Sequence, residues 1–239
     1  MNLTKPKITL FALLITGASM AQFPSKLQAK LPTAISKSSL SEEQIGKGLK
    51  EALTNGVKKG VDQISKPDGF FKDQSIKVLM PPDAKKVEDK LRTVGQGKKV
   101  DAAIESFNRA AEDASSLAKD IFLQAITSMT LLDVKSILSG NNDAATNFLL
   151  EKTKQELYSK FEPVIENSLN KVGATKHWET VMSSYNKIPF VKKVNPNLIQ
   201  YVTNKAIEGL FLQIAKEEKE IRSNPKSRTT DLLKEVFAK

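Results

Sequence analysis

Apolar and small side chains recurring at steps of three and four constrain this chain more than any other feature. From Asp101 the series Ile104, Phe107, Ala111, Ala114, Ala118, Ile121, Ala125 keeps one side of the backbone apolar. At 3.6 residues per turn those positions fall on a single helical face. The seam is mostly alanine, so a partner helix can approach closely. The same spacing appears in Ile45, Leu49, Leu53, Val57, Val61, Ile64, and in Leu198, Val202, Ala206, Leu210, Ile214. Shorter versions are Phe148, Leu149, Leu157, Phe161 and the terminal Leu232, Leu233, Val236, Phe237. Only Ile76–Met80, stopped by Pro81-Pro82, reads as extended, and it is too short to define a sheet. The expected fold is all-α, a single-domain multi-helix bundle over residues 40–239 with at most one very short strand-like segment.

Capping signals divide the helices. Ser41 with Gln44 reads as a capping box, and Leu40 can staple onto Ile45. Thr130 with Asp133 reads as a second box, which breaks the central helix near Ser128 and restarts it to Leu138, before Gly140. Asn142 is the expected cap of the next helix, which kinks near Pro163 and stops at Gly173. Thr175 is the expected cap of a short helix bearing Trp178, Val181, Met182 and Tyr185. Asn195-Pro196 is the expected start of the one after it. Gly46, Gly48, Gly56 and Gly60 lie inside the first helix at about 1 kcal/mol each against alanine. Their presence implies either that another backbone passes close by or that the helix frays locally.

The N-terminus carries an address. Lys5 and Lys7 precede Ile8–Met20, a run without charge, and Ser19-Met20-Ala21 presents small side chains at the positions a signal peptidase reads. Residues 1–21 are therefore expected to be a secretory signal peptide cleaved after Ala21, and the uncharged run Ile8–Met20, about 20 Å as a helix, is too short to span a core of about 30 Å. Residues 22–39, with Pro24, Pro32 and Ser36-Lys37-Ser38-Ser39, read as a flexible leader. The expected location is the periplasm, as a soluble chain with no transmembrane span after cleavage. The sequence has no cysteine, so disulfides, thiolate catalysis, cysteine metal sites and an N-terminal lipid anchor are excluded.

The formal charge is +10, and loss of Lys5 and Lys7 leaves +8. Such an excess favours anionic envelope partners: phospholipid headgroups, lipopolysaccharide or wall polymer. Nucleic acid is not expected, because the lysines lie in scattered pairs such as Lys58-Lys59 and Lys192-Lys193, with no aromatic residues interleaved for base stacking.

Catalytic patterns are sparse. His177 is the single histidine, which rules out multi-histidine metal sites and leaves one residue for any Ser-His-Asp triad. Ser-x-x-Lys occurs at Ser116/Lys119, Ser168/Lys171, Ser184/Lys187 and Ser223/Lys226, without the Ser-Asp-Asn and Lys-Thr-Gly companions of penicillin-recognising enzymes. Gly95-Gln96-Gly97-Lys98-Lys99 lacks the first glycine and the magnesium-binding hydroxyl of a phosphate loop, and Gly140-Asn141-Asn142-Asp143 lacks the alternating oxygens of a calcium loop. No metal and no cofactor is implied. Asn108-Arg109-Ala110-Ala111-Glu112 is more informative. Arg109 can pair with Glu112 or Asp113, on a face turned away from the alanine seam. A surface pair, an ion pair between helices and an anion-binding arginine all fit. Asn108, Arg109, Glu112 and Asp133 are the candidate ligand-binding residues, and a cleft joining the last three would suit an enzyme. Glu218 and Arg222 form an i,i+4 pair that ordinarily stabilises its own helix.

Several strings are familiar together: Gly48–Leu53, Asp68-Gly69-Phe70, Asn108–Glu112, Met129-Thr130, Ala144-Ala145-Thr146, Tyr201-Val202-Thr203, Gly209-Leu210-Phe211, and Glu217-Glu218 leading to Ile221-Arg222. In this order and spacing, over about residues 40–239, the chain resembles the bacterial domain-of-unknown-function 4197 family. The resemblance implies an exported helical envelope protein and carries no activity or catalytic residue. Many members have a lipoprotein-type signal, from which this cysteine-free chain departs.

Three functions are compatible with these readings. The first is a non-catalytic binding or scaffolding module of the cell envelope. The second is a carrier for an apolar ligand held between helices, and the third a hydrolase with an unrecognised site. A continuous apolar cavity would favour the carrier, and a tight core with a basic face would favour scaffolding.

Overall fold

A computed structural model describes residues 40–237 apart from 188, 191, 196 and 229, so the expected signal peptide and leader lie outside the described residues. The helices are α1 (Glu42–Ile64), α2 (Lys85–Thr93), α3 (Gly97–Ser115), α4 (Ala118–Thr127), α5 (Leu131–Ser139), α6 (Ala144–Lys171), α7 (Ala174–Asn186), α8 (Leu198–Ser223) and α9 (Asp231–Val236). Single 3-10 turns at Pro82–Ala84 and Pro225–Ser227 precede α2 and α9. The fold is all-α, with no strand among the described residues. No single described helix is long and apolar enough to cross a membrane, although α3–α4 and α5 pass together as a pair bent by 106°.

The centre of the bundle is α8, which packs on α1, α3 and α6; α6 in turn packs on α3 and α4. Its core-facing residues Val202, Ala206, Leu210 and Ile214 are buried, as the spacing predicts. Ala111, Ala114 and Ala118 are fully buried, and α4 lies against both α1 and α6. A larger side chain has no room there. Ala118→Leu should lower stability by about 1–3 kcal/mol, read as a shift in the urea midpoint; an unchanged midpoint would place the seam at a loose contact.

Both predicted capping boxes form. Ser41 Oγ accepts from the Gln44 amide at 3.2 Å, and Thr130 Oγ1 from the Asp133 amide at 3.2 Å, with each third residue reaching back to its cap. Other expectations are corrected. The central helix breaks earlier as well, at Ser116-Leu117 between α3 and α4. Helix α7 starts at Ala174 with Thr175 already inside it, its hydroxyl buried and without a partner among the described residues. Asn197, not Asn195, caps α8 by accepting from the Gln200 amide at 2.9 Å. Asn142 does not cap α6; Asp143 takes the cap position without a side-chain bond, because a distant carboxylate has taken the role.

That carboxylate is Glu218 of α8. It accepts from the Ala145 and Thr146 amides at 3.0 and 2.8 Å and from Thr146 Oγ1 at 2.7 Å. A negative charge meets the free amides and positive end of the α6 dipole. Arg222 binds the same carboxylate at 2.8 Å and donates to the Ile137 carbonyl at 2.9 Å. The pair therefore joins α5, α6 and α8, well beyond its own helix.

The glycines of α1 admit side chains where a close backbone was expected. A Cβ on Gly48 would stand 2.7 Å from Val236 Cγ2 and 3.1 Å from Leu232 Cγ of α9. Gly56 and Gly60 receive Ile221 and Ile214 of α8 in the same way. The absent methyl groups let α8 and α9 settle into α1, which offsets the lost helix propensity.

Candidate functional site

The connection between α1 and α2 is held by one face of α3. Asn108, fully buried, spans Val78 in the manner of a strand partner. Its Oδ1 accepts from the Val78 amide and its Nδ2 donates to the Val78 carbonyl, both at 2.8 Å. The strand-like Ile76–Met80 piece thus finds its polar partners on a side chain, which explains why no ladder forms around it. One turn on, Glu112 Oε1 accepts from the Phe70 and Phe71 amides at 3.0 and 3.2 Å, while Oε2 accepts from Arg109 at 2.8 Å. Glu112 fixes the backbone that drives the Phe70 ring onto Gly209 of α8, where an added Cβ would lie 2.5 Å from Phe70 Cε1.

Arg109 completes the clamp. Its guanidinium also binds Asp68 Oδ1 at 2.8 Å and Glu105 Oε1 at 3.3 Å, and lies over the Phe71 ring at 5.6 Å. Glu112 and then Asp68 hold the Arg109 proton more firmly than usual. The Lys72 ammonium and then Arg109 hold the Asp68 carboxyl below the ordinary carboxylate range. Asp68 has a φ of 69°, so this ion pairing anchors a backbone that side chains rarely adopt.

Of the four sequence-derived candidates, the structure brings together three. Asn108, Arg109 and Glu112 share the α3 face. Asp133 sits in the first turn of α5, bonded to Thr130, whose amide and hydroxyl hold its carboxyl below the ordinary range. No hydrogen bond or ion pair among the described residues joins Asp133 to Arg109 or Glu112, since the box that starts α5 uses Asp133 for local capping.

A different cavity opens beside the clamp. A groove of about 1100 Å³ runs between α2, α3, the end of α6, α7 and the start of α8. Phe107, Trp178, Met182 and Leu198 are buried beneath it, with the Phe107 and Trp178 rings edge to face at 6.5 Å. Val172 and Val181 stand on its lips, 61% and 41% exposed. The periodicity places Val181 with the core residues of α7, but it stands exposed at the edge of the groove. Arg109 and Glu105 border the groove from the clamp, and Lys99, Lys171 and His177 reach it from the starts of α3 and α7 and the end of α6.

Hydroxyl, imidazole and carboxylate groups also line this groove, but they do not assemble. Ser168 Oγ donates to Asp113 Oδ2 at 2.7 Å and Ser106 Oγ to the Ala103 carbonyl at 2.7 Å. No hydrogen bond among the described residues joins His177 to either serine, or Ser168 to Lys171. No group of three or more histidine or carboxylate side chains among them is placed to hold a metal ion.

A family described as a protein of unknown function, DUF4197, has a model that matches residues 39–238. The chain belongs to the DUF4197 family. No curated protein and no solved structure matches it. Membership of DUF4197 brings no assigned activity, so the groove and its borders carry the functional reading.

The sequence singles out Asn108, Arg109 and Glu112 and the pairing of Arg109 with Glu112, but neither the backbone groups they hold nor the groove beside them. Phe107, Trp178 and Met182 carry the signature of core residues, and they are buried as core residues are. What distinguishes them is a missing neighbour, which no spacing encodes.

Proposed function

We propose that this DUF4197 protein is an envelope binding protein whose groove holds an elongated apolar ligand, the carrier among the three functions compatible with the sequence. The observation that carries it is the largely apolar lining at the junction of α3, α6 and α7, left open and edged by exposed Val172 and Val181. A volume of about 1100 Å³ stands just above the range for small-molecule sites, about 300–1,000 Å³. Along α3 the lining extends from Gln96 to Asp113, roughly 25 Å of helix. One acyl chain occupies about 15 Å, half of a hydrocarbon core. A single acyl chain with its head group therefore fits the length. Lys99 and Lys171 at the edge suit an anionic head, in keeping with the basic balance of the chain.

The setting belongs to the same proposal. The apolar run Ile8–Met20 with its flanking lysines supports export, and the absence of cysteine supports an untethered chain. Native mass spectrometry of protein purified from envelope, before and after solvent extraction, tests the binding role. The expected result is an added lipid-sized mass that solvent strips and palmitate restores. A bare polypeptide mass that takes up neither palmitate nor lysophospholipid would overturn it.

A further inference from the structure

The loop between α7 and α8 exposes an aromatic ring by construction. Its base is closed by one side chain: Asn186 Oδ1 accepts from the Val194 amide at 2.8 Å, and Asn186 Nδ2 donates to the Val194 carbonyl at 2.7 Å. Val194 is buried at this base. At the tip, Phe190 is fully exposed and has a φ of 64°. A turn that needed only this backbone would be served by glycine or asparagine, and a ring left in water loses its burial energy.

The charges on the loop itself have one sign. Lys187, Lys192 and Lys193 are exposed, and no carboxylate occurs from Lys187 to Asn197. Lys192 is tied to Asp83, just before α2, which steadies the loop against the body of the protein. Lys187 and Lys193 have no acidic partner among the described residues. The segment carrying Asp83 also carries Leu79, itself exposed.

We propose that the 187–193 loop docks on an anionic lipid bilayer surface, with Phe190 inserted at the level of the head groups and Lys187 and Lys193 on lipid phosphates. An aromatic ring favours that boundary, and nearby lysines are drawn by the negative surface potential. The loop leads directly out of α7, a wall of the groove, so docking would bring the groove to its lipid source. The loop's chemistry stands whatever the groove holds.

Vesicle sedimentation tests this with the full chain. Vesicles of phosphatidylcholine mixed with phosphatidylglycerol should bind the protein, and phosphatidylcholine alone should not. Phe190→Gly, which suits the backbone, should weaken partition about tenfold. Lys187→Gln and Lys193→Gln should each cost about fivefold. In a Phe190→Trp variant, emission should move to the blue on anionic vesicles. Equal binding by Phe190→Gly and wild type would overturn the proposal by showing that charge alone drives adsorption. So would a Phe190→Trp emission that stays unchanged in the bound state, or a dimer in gel filtration that depends on Phe190.

Discussion

Glu218→Ala is expected to destabilise the protein by about 3–5 kcal/mol, the cost of removing one partner from a buried ion pair. The Glu218 carboxylate is 4% exposed, and it receives two backbone amides, the Thr146 hydroxyl and Arg222. Its loss strands the first amides of a 28-residue helix and leaves the Arg222 guanidinium with the Ile137 carbonyl alone. Total stability of a domain is about 5–15 kcal/mol, so the variant is expected close to the unfolding threshold. Glu218→Gln keeps an oxygen for the amides and should cost about 1–3 kcal/mol. Urea midpoints for both variants check this. A Glu218→Ala protein within about 1 kcal/mol of wild type would show that water replaces the carboxylate.

Glu112→Ala should cost a similar amount, about 3–5 kcal/mol, but with a local signature. The Phe70 and Phe71 amides lose their acceptor, and Arg109 keeps Asp68 and Glu105. Hydrogen exchange should therefore accelerate first at Phe70 and Phe71, while α6 amides stay protected until global unfolding. In the Glu218→Ala variant the order should reverse, with the start of α6 opening first. Uniform loss of protection in both variants would mean that the clamps do not act on separate parts of the bundle.

The two clamps show what the sequence could and could not reveal. Helical periodicity placed every long helix, because burial of one face is a local pattern with a fixed period. Ser41 and Thr130 were legible as caps for the same reason, since donor and acceptor lie three residues apart. The α6 cap was not. Its carboxylate comes from 72 residues away, so Asn142, a capping residue type just before the helix, is the local answer and the wrong one. Asn108 and Glu112 stood out as polar residues on a helix of alanines, yet their partners at residues 70, 71 and 78 are backbone groups, which any residue type supplies. The strings that carry the family resemblance are largely the ones that meet here: Asp68-Gly69-Phe70 with Asn108–Glu112, and Ala144–Thr146 with Glu218 and Arg222. They hold the fold, and the groove beside them is formed by ordinary core residues.

Binding in that groove is tested most directly by titrating the protein with a fluorescent long-chain fatty acid, in parallel with Ala103→Trp. Ala103 lines the groove and is half-buried, so an indole there fills the space without entering the alanine seam. The wild-type protein should saturate at one ligand per chain with a Kd of about 1 μM, roughly 8 kcal/mol. Ala103→Trp should keep its urea midpoint and lose binding at least about tenfold, and Phe190→Gly should bind as wild type does. Equal binding by wild type and a folded Ala103→Trp protein, or no saturable binding by wild type, would contradict the groove as the site of function.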